Sequence, residues 1–62
     1  MLFRVGDRVR VSSAQVNSHN GRVGEVTDVD AGDASYPYEV TVSVGGRVRM
    51  DWFSAAELSN VK

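Results

Sequence analysis

The chain contains no cysteine and a single histidine, His19, and nowhere does it hold an apolar run long enough to span a bilayer. The first absence excludes disulfides and every thiolate metal site. The second excludes a histidine-rich metal site. At 62 residues, a folded chain buries only about 60% of the surface its unfolded form exposes. Chains of this size often add disulfides, a metal or a partner subunit. With the first two gone, stability has to come from a well-packed core or from self-association.

An excess of either sign of charge is also lacking. The net charge is −1, which argues against a dedicated nucleic-acid binder. Its distribution is uneven. Residues 1–24 carry Arg4, Arg8, Arg10 and Arg22 against Asp7 alone, and residues 25–39 carry Glu25, Asp28, Asp30, Asp33 and Glu39 with no base. Residues 1–6 break into charge and glycine too soon for a secretory leader. The uncharged stretch 11–20 is too polar to cross a membrane. The expectation is therefore a cytoplasmic protein with no membrane partner.

What the chain does have is valine at strand spacing. Val9 and Val11 alternate with Arg8 and Arg10, the period-2 mark of a half-buried strand, and Gly6-Asp7 suits the turn before it. Residues 12–20 are polar and rich in turn formers, which predicts a long loop with Val16 folded back and His19 in a mobile polar setting. Asn20-Gly21 marks a turn. Val23, Val26 and Val29 follow at intervals of three, which predicts a strand with a bulge near Gly24. An amphipathic helix would also group these valines, but the glycines and β-branched neighbours favour the strand.

Residues 30–35 read as an acidic loop tip. Pro37 lacks an amide hydrogen and belongs at the start of the strand 38–44, whose Tyr38, Val40, Val42 and Val44 face the core. After Gly45-Gly46, the apolar alternation of Val48, Met50 and Trp52 predicts an inward face, with Arg49 and Asp51 outside. That pattern selects a three-residue loop pairing Val42 with Val48, Val40 with Met50 and Tyr38 with Trp52. A two-residue loop would place valine and arginine on one face. Ser54-Ala55-Ala56-Glu57 is a capping box that starts one helical turn ending near Leu58, and residues 59–62 suffice for a short closing strand. The predicted fold is all-β, a small five-stranded SH3-like barrel with one short helical turn before the last strand, covering 1–62 as a single domain.

Two stretches carry a resemblance. Gly6-Asp7-Arg8-Val9-Arg10-Val11 followed by Asn20-Gly21-Arg22-Val23-Gly24-Glu25-Val26 resembles a KOW motif. Tyr36-Pro37-Tyr38-Glu39-Val40, with Gly46 and Trp52-Phe53-Ser54-Ala55-Ala56-Glu57-Leu58, is similar to small SH3-like proteins of unknown function from bacteria and phages. The KOW resemblance implies contact with RNA or protein through the first loop, here 12–22. Family members that grip RNA carry several lysines there; this loop has none, and His19 and Arg22 are its cations. The tyrosine-rich loop of polyproline-binding SH3 domains is missing.

No residue set reads as catalytic. Nucleophilic chemistry needs an activated nucleophile beside a base, and His19 has only Asn17, Ser18 and Asn20 for neighbours in sequence. Asp28 and Asp30 share a strand face but lack a third ligand. The glycine pairs open no helix and so make no phosphate loop. The expected function is a non-enzymatic binding or adaptor module that needs no cofactor and takes a protein partner through Tyr36, Trp52 and Phe53. Two alternatives remain: a nucleic-acid contact through Arg8, Arg10, His19, Arg22 and Arg49, and a self-associating structural subunit.

Overall fold

The computed structural model describes residues 2–13 and 19–61, so the expectation for Val16 and the end of the closing strand at Lys62 fall outside the described residues. The order is β1 (Arg8–Val11), β2 (Val23–Val29), β3 (Tyr38–Val44), β4 (Arg47–Phe53), a one-turn 3-10 helix η1 (Ala55–Glu57) and β5 (Leu58–Asn60). All five strands are antiparallel in one sheet ordered β4-β3-β2-β1-β5. The protein is thus all-β as predicted. Among the described residues the ladder does not close from β4 back to β5, and the sheet has two edges. No helix among them is long and apolar enough to cross a membrane.

The core is built where the alternation is clean. Val9 and Val11 of β1 are buried with Arg8 and Arg10 outside, and Tyr38, Val40 and Val42 of β3 are buried. Val26, Phe3, Phe53 and Leu58 complete the cluster, and the Phe3 ring meets Tyr38 edge-on at 5.2 Å between centroids. Pro37 precedes β3 as expected, and its carbonyl accepts the Asp30 N–H at 2.7 Å.

Gly24 serves a different purpose from the bulge expected of it. The register shift lies between Val26 and Asp28, at Thr27. The Thr27 hydroxyl turns outward instead, within 2.9 Å of Glu39 Oε1 and 2.8 Å of Thr41 Oγ1. Gly24 stands opposite Val9, where a Cβ would come within 2.6 Å of the Thr41 carbonyl oxygen and of a Val42 methyl. Close approach of β2 to β3 requires glycine here.

The capping box at η1 is in place. Glu57 Oε1 accepts from the Ser54 N–H at 3.0 Å and from its hydroxyl at 3.1 Å. Its carbonyl accepts the Ser12 N–H at 2.8 Å, so one residue ties the helical turn to the mouth of the long loop. Hydrogen bonds from the Ser13 hydroxyl first, and from Ser54, hold the Glu57 carboxyl below its ordinary value of 4.5.

Two outcomes follow for stability. Gly24→Ala is expected to cost roughly 3 kcal/mol, the upper end for overpacking, measured by urea unfolding. Because the folded Glu57 pKa is the lower one, its contribution is complete above about pH 4.5 and is lost as pH falls through the depressed folded value. Glu57→Gln should therefore lower the urea midpoint at neutral pH and flatten its acid dependence; an unchanged acid slope would show that other carboxylates set it.

Candidate interaction surface

The surface begins at a turn. Gly45 and Gly46 both take positive φ, 56° and 80°, the pattern of a type I′ two-residue hairpin loop. That turn pairs Val44 with Arg47, Val42 with Arg49, Val40 with Asp51 and Tyr38 with Phe53. The three-residue loop predicted from the hydrophobic pattern is therefore not the one formed, and β4 is flipped relative to that expectation. Residues directly opposite each other share a face. Arg47, Arg49 and Asp51 thus lie on the side of the sheet where β3 buries its valines, and of β4 only Phe53 enters the core.

The flip puts the other apolar residues of β4 outside. Val48 is 67% exposed, Met50 62% and Trp52 37%. They stand opposite Ser43, Thr41 and Glu39 on β3. The result is an apolar stripe one strand wide, at an edge of the sheet, bordered inward by hydroxyls and a carboxylate. The ladder with β3 runs without a register shift from Val44↔Arg47 to Tyr38↔Phe53, and β4 contains no proline. Of the usual devices that blunt an edge strand, β4 carries charged residues on its inner side, Arg47, Arg49 and Asp51, but neither a proline nor a bulge.

Of the predicted partner patch, Trp52 lies on this stripe, whereas Phe53 points into the core and is 2% exposed. Tyr36 is half exposed, two residues beyond the last β3–β4 pair. Its backbone N–H donates to Asp33 Oδ1, as does that of Ser35. Those two bonds, first that from Tyr36 and then that from Ser35, hold the Asp33 carboxyl below its ordinary range. Asp30 likewise accepts from the Gly32 N–H, so the acidic tip spends these carboxylates on its own backbone.

The predicted cationic set does not converge. Arg8 and Arg10 project from the outer face of β1, with Arg8 opposite Glu25. Arg10 Nη1 reaches the Gly21 carbonyl at 3.4 Å, near the exposed Arg22 in the adjoining turn. Arg49 lies on the opposite side of the sheet, three strands away.

His19 is not a solvent-facing loop residue: it is 2% exposed, with its ring tilted on Phe53 at 5.3 Å. Its Nε2 sits 3.3 Å from the Val40 carbonyl. A carbonyl only accepts, so Nε2 carries the hydrogen in this contact. Two backbone bonds keep the residue there: the Arg22 N–H donates to the His19 carbonyl, and the Gly21 N–H to that of Val11.

Val48 and Met50 are the surface residues that hydrophobic alternation assigns to the core. The signal that finds them is the Gly-Gly pair read as turn chemistry. Comparison with protein families, curated proteins and solved structures finds no match, so the functional reading rests on this geometry.

The register has a direct check in dilute protein. Val48→Thr and Met50→Thr should each change stability by less than about 0.5 kcal/mol, as surface substitutions do. Val40→Ala should cost about 2–3 kcal/mol. Comparable losses at all three positions in chemical unfolding would contradict the two-residue turn.

Proposed function

We propose that the chain is a non-enzymatic protein-interaction module whose working surface is the outward face and open edge of β4. One observation carries the reading: Val48, Met50 and Trp52 are exposed together on one face of a seven-residue edge strand whose one neighbour among the described residues is β3. Water-exposed apolar side chains lined up on a strand edge are the chemistry of a protein partner, which covers them and completes the ladder. In this reading the fold is a small SH3-like barrel. The three-strand meander, the 3-10 turn η1 and the short last strand returning beside β1 support that assignment.

The immobilised domain is expected to retain a protein that Met50→Lys and Val48→Glu fail to retain and that a folded Arg8→Glu/Arg10→Glu variant still holds. In the complex, Trp52, the one tryptophan in the chain, should be shielded from iodide quenching. Retention that survives Met50→Lys would overturn the reading. Binding to an oligonucleotide that the Arg8/Arg10 reversal abolishes would instead assign the domain to nucleic acid.

A further inference from the structure

The phase of the β4 ladder decides which backbone groups are free. In a hairpin closed by a two-residue turn, Val44 and Arg47 exchange hydrogen bonds, and exchange then recurs at every second pair, Val42 with Arg49 and Val40 with Asp51. The N–H and C=O groups of Val48, Met50 and Trp52 therefore point away from β3, toward the open edge. Trp52 shows this directly: its N–H is met not by β3 but by Asp51 Oδ1, at 2.8 Å.

The same strand is complementary to itself. Laid antiparallel on a second copy, two β4 strands exchange hydrogen bonds only in registers that bring outward-pointing residues opposite one another. The register that overlaps all seven residues is centred on Met50 and satisfies this condition. It places Met50 opposite Met50 of the other copy, Val48 opposite Trp52, and Arg49 opposite Asp51, the last two pairings each occurring twice. Sliding the strands by one hydrogen-bonding step either way shortens the overlap and brings either Arg49 onto Arg49, with Arg47 then opposite Asp51, or Asp51 onto Asp51, and like charges directly opposite are unfavourable. Full overlap, ladder phase and charge complementarity thus select one arrangement, and it is two-fold symmetric as homodimers most often are.

We infer that the partner of the β4 edge is a second copy of this chain, paired antiparallel through Arg47–Phe53 in the register centred on Met50. Pairing joins two five-stranded sheets into one. The Trp52 N–H passes from Asp51 to the Val48 carbonyl of the other copy, and the released carboxylate turns to the facing Arg49. Asp51 has two states in this scheme: it caps the edge in the monomer and closes an ion pair in the dimer. The inference rests on the interaction reading of β4 and names its partner.

Sedimentation velocity from about 5 µM to about 1 mM protein should show a reversible monomer–dimer equilibrium, with Trp52 emission shifting to the blue over the same range. Arg49→Asp alone and Asp51→Arg alone should each weaken the dimer at least about tenfold, because each turns both ion pairs into like-charge contacts. An equimolar mixture of the two variants should dimerise as the wild type does, since each copy then supplies the charge that the other needs. Recovery in the mixture also shows that both variants fold. A protein monomeric throughout, or a dimer indifferent to both reversals, overturns the inference. If the protein is monomeric yet loses a retained partner on Met50→Lys, the interaction reading stands and only self-pairing fails; if Met50→Lys also leaves retention intact, both fall.

Discussion

The handedness of one turn governs this molecule. Two glycines at positive φ bring the chain round between β3 and β4 in two residues, and the twist of that turn matches the twist of the strands it joins. Because side chains alternate with a period of two, the loop length decides which half of β4 faces the core. With two residues in the loop, Phe53 is the inward anchor, while Val48, Met50 and Trp52 become surface. The core itself needs little from β4. Valines on β1, β2 and β3, with Phe3, Tyr38 and Leu58, fill it from the rest of the chain. An edge strand that contributes one core side chain is free to present the others.

That freedom explains why some elements were legible in the sequence and others were not. In β1 and β3 the valine alternation and the buried face coincide, since both strands have neighbours on either side and a core beneath them. Pro37 and the Ser54–Glu57 box act through local backbone chemistry, and both stand where that chemistry puts them. In β4 the alternation is equally clean but describes an outward face. Hydrophobic pattern and turn preference conflict there, and the turn prevails. Gly24 carries a true signal with two physical meanings, a bulge or a close approach, and only the position of β3 distinguishes them.

His19 was legible least of all. A histidine among asparagines and serines reads as solvated, yet its ring lies between Phe53 and the Val40 carbonyl. Burial of one polar side chain from a polar stretch leaves no periodicity to detect. The candidate site divides the same way. Trp52 was found because aromatics draw notice, whereas Val48 and Met50 were hidden by an ordinary assignment to the core. The arginines, grouped by charge along the sequence, are separated by the sheet into two faces.

The strand order also has a kinetic meaning. β1, β2 and β3 are each paired with the next strand in sequence, so their contacts close comparatively short loops. β1 and β5 are neighbours in the sheet although nearly the whole chain lies between them. Contacts of that separation wait on the largest loop-closure entropy. During synthesis β1 leaves the ribosome first and can pair with β2, but its other side stays open until Leu58–Asn60 emerges. The growing chain thus passes through an interval in which Val9 and Val11 lack Leu58, and in which the nascent sheet ends on β1 instead of β5.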